Sequence, residues 1–230
     1  MNPLPIRPAY EPASHGSLSG DSVALVPLAP AHGPDLFALS TASGADDRFR
    51  YLFDSVPTAE TFPQFMRNAC SSKDPLHVAV IRKVDGRCLG RQSLMRITPE
   101  HGVIEIGNIL WGAEMARTRM ASEAFFLHAC YVFETLAYRR FEWKCNALNA
   151  PSRRAALRFG FRFEGIFRQH MVVKGESRDT AWYAMLDHEW PAIKAGFEAW
   201  LAAADRVPCD PERRHAQPLR LSLLKRFLLR

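Results

Sequence analysis

The chain has 230 residues, enough for one large domain or one domain with extensions, and its 47% hydrophobic and 11% aromatic residues can build a core without metals or disulfides. Thirty basic against 24 acidic groups leave a formal charge of +6 and a pI near 9.3, which suits an anionic ligand and equally suits an ordinary solvated basic surface. Composition excludes collagen-like, coiled-coil and mainly disordered chains, and no apolar run reaches the ~18–20 residues of a membrane-spanning helix.

Residues 1–20 are rich in Pro, Ser and Gly without periodicity and read as a loose N-terminal arm. A domain over about 21–204 follows. Val23 to Leu28 is a short strand, His32 to Leu39 a helix with Pro34 in its first turn, and Ser55 to Glu60 a helix start ahead of Phe62, Phe65 and Met66. His77 to Arg82 and Cys88 to Ile97 form a hairpin about Asp85-Gly86, and Pro99 to Gly102 turns the chain into a third strand, Val103 to Trp111. The longest helix is expected from about Arg119 to Ala137, with Ala124, Phe125, Leu127, His128, Tyr131 and Val132 on its apolar face. Arg140 to Asn146 alternates as a strand, and Pro151 to Phe159 is a short helix stopped at Gly160. Phe161 to Ile166 and Gln169 to Val173 continue as two strand pieces, Thr180 to Leu186 finishes the sheet, and a helix near Trp190 to Ala204 closes the domain. This order predicts an α/β domain with a mixed sheet and no internal repeat. Residues 205–230 form a basic C-terminal extension with an apolar patch, Leu219 to Leu224, that suits packing on the domain, a dimer contact or a membrane surface.

Several chemistries lack their signatures. There is no GxGxxG after a strand, no GxxxxGK[ST], no HExxH and no GxSxG. The eight histidines show no metal-ligand spacing, so no metal is expected. Five cysteines without a CxxC pair read as reduced thiols. The opening MNPLPIRPAYEPASHG has no apolar leader segment, so cytoplasm is the expected location. Arg139-Arg140 and Arg153-Arg154 are the main motive for nucleic-acid binding, and no recognition motif joins them.

One constellation is specific. EIGNILW from Glu105, ASEA at Ala121 to Ala124, Asn149-Ala150-Pro151-Ser152 and Gly160-Phe161-Arg162-Phe163-Glu164-Gly165 follow one another with strand–loop–helix–strand–helix spacing. The segment from Glu105 to Gly165 resembles GNAT N-acyltransferases of the RimJ/RimL type, in which Q/R-x-x-G-x-G/A opens the long helix, N-x-x-S the short one, and GF-x-x-EG follows. The resemblance extends more weakly over Val23 to Trp200. It implies an acyl-CoA N-acyltransferase fold: a mixed sheet splayed into a V between the strand ending near Trp111 and the strand through Cys145, with flanking helices.

The resemblance also implies a site. Acetyl-CoA, as co-substrate, would set its pyrophosphate on the N–H groups of Arg117, Thr118, Arg119, Met120, Ala121 and Ser122 at a helix N-terminus. Arg119 stands where the family has its central glycine and Ala116 where it has Gln or Arg; the Arg117 and Arg119 side chains are either phosphate ligands or exposed loop arginines. Asn108 or Ile109 would lend a bulged-strand N–H to the thioester carbonyl. Asn149, and Arg153 beside it, would hold the pantetheine arm, with Asn149 able to cap its helix as well. Glu105 either takes the acceptor's proton or pairs with a neighbouring cation. Ser152 either donates to the departing thiolate or is an ordinary first-turn serine; Ala156 occupies the place of the tyrosine many relatives carry. Phe49, Tyr51 and Phe53 fall in the loop that lines the acceptor in the family, and Cys145 reads as core. The expected reaction is direct transfer of acetyl to a primary amine, a protein N-terminus or a small amine, by a monomer or homodimer. A module that binds CoA or a partner without turnover is the alternative. Neither a membrane nor a nucleic acid is expected as partner.

Overall fold

The computed structural model describes residues 9–12 and 16–204. Eight strands form one sheet: β1 (Leu18–Ser19), β2 (Val23–Pro27), β3 (Leu76–Arg82), β4 (Cys88–Thr98), β5 (Val103–Trp111), β6 (Arg140–Asn146), β7 (Arg162–Val173) and β8 (Glu176–Leu186), in the order β1-β2-β3-β4-β5-β6-β8-β7. Every neighbouring pair is antiparallel except β5 and β6. Among the described residues, the α-helices are α1 (Gly33–Thr41), α2 (Ala45–Phe49), α3 (Phe62–Ser71), α4 (Arg119–Cys130), α5 (Ala150–Arg158) and α6 (Trp190–Ala204). The expected mixed α/β architecture is present.

Period-two alternation sorts each strand between two faces. Ile104 and Ile106 of β5, Phe141 and Trp143 of β6 and Tyr183 and Met185 of β8 bury against Phe125, Phe159, Phe161 and Phe197. Phe125 stacks on Phe159 with ring centroids 4.3 Å apart. Each fully buried side chain of this size contributes about 2–3 kcal/mol through its removal from water. On the other face, α1 and α3 bring Leu36, Phe62 and Met66 onto Ala79 and Cys88.

Four expectations need correction. The arm does not run loosely to residue 20: Leu18–Ser19 pairs with β2, Ala9 is buried in the main core, and Tyr10 N–H donates to Leu136 O. The start read at Ser55 to Glu60 is not helical, because Thr58 N–H is taken by Thr61 Oγ1 in a turn, and α3 opens at Phe62 with Pro63 in its first turn. The long helix keeps α-geometry only to Cys130 and widens to a π-turn over Tyr131–Thr135. The two pieces expected within Phe161 to Val173 are one strand, β7, whose register shifts twice against β8. The extension at 205–230 and its Leu219–Leu224 patch lie outside the described residues.

Candidate functional site

β5 and β6 run paired from Val103↔Arg140 to Ile106↔Trp143, and their register goes no further. Beyond that point β5 stays with β4 as far as Gly90↔Trp111, while β6 stays with β8 as far as Asn146↔Thr180. The sheet therefore opens into the expected V. The cause is local to β5: Ser93↔Gly107 is followed by Arg91↔Leu110, so three steps on β5 oppose two on β4. Asn108 sits in this bulge at φ +50°. Gly90 lets the bulged strand close on β4, since a Cβ there would lie 2.4 Å from Leu110 O. Arg91, which the sequence did not single out, clamps the bulge: its guanidinium is buried, donates to Asn108 O at 3.2 Å, and pairs with Asp54 at 2.7 Å.

The loop after β5 turns through Gly112, whose N–H donates to Leu89 O, and is plugged by fully buried Met115. Arg117 is exposed at φ +63°, and Thr118 is the N-cap residue of α4 without a side-chain cap bond; its Oγ1 donates to Met115 O instead. The first-turn N–H groups of α4 thus open onto the loop. Arg119 takes an ordinary helical place where the resemblance puts a glycine. Its guanidinium meets Asp21 at 3.1 Å and Glu123 at 3.4 Å, and Glu123 is itself buried against Asp21 N–H and the Ser22 hydroxyl. Ala121 and Ser122 are buried.

Across the V, Asn149 caps α5 by accepting from Ser152 N–H at 3.1 Å. Ser152 Oγ, released from capping, accepts from Trp143 Nε1 at 3.0 Å and keeps its own hydrogen to donate. Arg153 bonds Tyr183 Oη and Ala147 O. Burial pushes the Cys145 thiol upward, which fits a protonated core thiol. Ala156 is fully buried.

The face of β5 and β6 turned away from α4 carries ions instead of rings. Glu105 is 3% exposed and stands directly beside Glu142. Lys144 Nζ reaches Glu105 at 2.9 Å and Glu142 at 2.5 Å, and Arg96 meets Glu105 at 2.6 Å. Arg140 then joins Glu142 to Glu164. So Glu105 does pair with cations; both contact its Oε2, while Oε1 lies toward side-chain-free Gly107 at the start of the bulge. Lys144 also rests 4.0 Å over the Trp182 ring. Buried His77 bonds Ser93 on the same face, and burial together with the Arg91 charge lowers it to about 4. The loop from Phe49 to Asp54 borders this face, tied to the β7–β8 turn by Lys174 Nζ donating to Phe49 O. The strand alternation of Arg140, Glu142 and Lys144 was a visible signal for the ionic face; Arg91 and Arg96 gave none, because their partners are distant in sequence.

No described group of three or more His, Cys, Asp or Glu side chains is placed to hold a metal, and no described helix is long and apolar enough to cross a membrane.

Residues 22–162 match the family model of the acetyltransferase (GNAT) domain. The chain is similar to a GCN5-related N-acetyltransferase from Brucella melitensis, at 51% identity over 89% of this chain and 93% of that one, TM-score 0.86. It is similar to a GNAT-family protein from Chromobacterium violaceum at 38% identity over 83% and 96%, TM-score 0.76. Mycobacterium smegmatis RimJ in complex with CoA-disulfide shares the fold at 20% identity over 80% and 90%, TM-score 0.64. No curated protein matches the chain.

Proposed function

Given that the chain belongs to the GNAT acetyltransferase family, we propose that it moves acetyl from acetyl-CoA to a primary amine by direct transfer in a ternary complex, on the RimJ/RimL-like branch that Asn149 to Ser152 and Gly160 to Gly165 resemble. One observation carries the reading: the bulge at Asn108 stands at the mouth of the V, between the open N-terminus of α4 and the buried carboxylate of Glu105. These groups fit acetyl-CoA, whose thioester supplies the activated acyl group.

Each residue then has a task. The N–H groups from Arg117 through Thr118, Arg119, Met120 and Ala121 to Ser122 receive the pyrophosphate. The exposed Arg117 side chain adds charge there, while the Arg119 charge is already answered by Asp21 and Glu123. Asn149 offers its amide N–H₂ to the pantetheine while its oxygen caps α5, and Arg153 supports that loop through Ala147 O. The N–H of Asn108 or Ile109 polarises the carbonyl. A protonated amine cannot attack, so Glu105, through Oε1 and a water, takes its proton. Ser152, its oxygen occupied by Trp143 Nε1, donates its hydrogen to the departing sulfur. A protein N-terminus or a small amine is the acceptor, and the cytoplasm is the location.

The test is CoA release from acetyl-CoA across a panel of amines, with the product weighed by mass spectrometry. Glu105→Gln should lower kcat by about 10²–10⁴ and steepen its rise with pH, because hydroxide must replace the base. Ser152→Ala should lower kcat with acetyl-CoA affinity unchanged. Parental kcat in both variants across the pH range would leave proximity and carbonyl polarisation as the whole of catalysis.

A further inference from the structure

Arg178 on β8 shares the ionic face, two and four residues before Thr180 and Trp182, yet it stands outside the ionic network. It is 7% exposed, and its Nε is buried without a hydrogen-bond partner. No described carboxylate forms an ion pair with it; its contact is the ring of Phe53, 5.0 Å from the guanidinium carbon. The surrounding charges are already matched. Arg96, Lys144 and Arg140 stand against Glu105, Glu142 and Glu164, and Arg91 stands against Asp54. The carboxylate whose field reaches Arg178 is Glu105, which two other cations share. An uncompensated cation held out of water is costly, and a fold that keeps one has a use for it.

We propose that Arg178 is the anion-binding residue of the acceptor site, and that the acceptor amine carries a carboxylate. The inference rests on the acetyltransferase reading above and narrows its substrate class. Arg178 and Glu105 lie on the face turned away from α4 and α5, so the guanidinium serves the acceptor side, not the phosphates assigned to the α4 N-terminus. Phe53 belongs to the loop that borders this face, and its 44% exposure leaves room for a ligand between ring and solvent. A guanidinium offers paired donors in a fixed fork that matches a carboxylate, and burial excludes the water that would otherwise compete. A carboxylate arriving with the amine completes the charge balance of the face.

The experiment compares free amino acids with their carboxamides, and peptides having Glu or Asp after the N-terminal residue with the Gln or Asn versions, as acceptors for the parent, Arg178→Lys and Arg178→Met. The first pair of arms reads a small acceptor, the second a peptide one. In at least one arm the parent should favour the carboxylate by about tenfold or more in kcat/KM. Arg178→Met should lose that preference through KM, Arg178→Lys should retain part of it, and acetyl-CoA affinity should stay parental in both. A second readout needs no turnover: with CoA bound, N-acetyl amino acids and N-acetyl acidic peptides should raise the Tm of the parent and not of Arg178→Met, while their amides raise neither. Equal use of carboxylate and amide acceptors, or a ligand-induced Tm shift that survives in Arg178→Met, overturns the inference and leaves the acetyltransferase reading standing. Failure of every amine to be acetylated overturns that reading instead, and the Tm arm then decides Arg178 alone.

Discussion

One side of β5 and β6 carries Ile104, Ile106, Phe141 and Trp143 under a layer of aromatic rings; the other, from the residues in between, carries Glu105, Glu142 and Lys144. The backbone and the burial are shared, so the difference lies in what each side chain requires. The ring face asks for shape and volume, and its members are stabilised chiefly by loss of water contact. The ionic face asks for partners, since a buried charge is costly wherever no counter-charge stands beside it. A face of the first kind holds the sheet. A face of the second kind holds charged groups at fixed positions beside the open V, where the proposed reaction would use them, and the clamp of Arg91 on Asn108 O extends that order to the bulge itself.

Single truncations should hurt both faces, and repair should separate them. Phe125→Ala, which removes a fully buried ring stacked on Phe159, should cost about 3–5 kcal/mol in urea unfolding. Lys144→Met should cost a similar ~3–5 kcal/mol by leaving Glu105 and Glu142 side by side. Adding Glu142→Gln to Lys144→Met should then recover more than half of the loss, whereas no charge change should rescue Phe125→Ala. Independent, additive losses in the Lys144–Glu142 cycle would break the contrast.

Acid should act on the ionic side. His77 titrates near 4 when folded against an ordinary 6.5, so between those values the unfolded chain binds more protons and stability falls as pH falls. That one group is worth about 3 kcal/mol between pH 6.5 and 4. His77→Gln should flatten the slope of unfolding free energy against pH by up to one proton in that window, and an unchanged slope would remove His77 from the account. The smallest effect belongs to the seam between the faces: Asn149→Ala removes the α5 cap and should cost about 1 kcal/mol, together with weaker acetyl-CoA binding by calorimetry.

Much of this was legible beforehand. The hairpin at Asp85-Gly86 follows from turn chemistry, with Gly86 at φ +72°, and the cap at Asn149 from an Asn placed three residues before Ser152. The last helix, read near Trp190 to Ala204, begins at Trp190 and runs to the end of the described residues at Ala204. The misses share a cause. At Ser55 to Glu60 a capping pattern competed with a Thr58–Thr61 turn, and local preferences of similar size do not decide between them. The widening at Tyr131–Thr135 leaves no mark in apolar spacing.

Sequence by itself determined the alternation of strands and helices, the mixed sheet and the family, because these depend on periods of two and 3.6 and on short motifs read along the chain. Only the tertiary structure decided which charges meet. Arg91 finds Asp54 on another element, Lys144 is shared by carboxylates on two strands, Arg119 is drawn to the β1–β2 turn, and Arg178 is left with Phe53. Electrostatic partnership depends on distance and burial in space, and the sequence encodes neither until the sheet has brought its strands together.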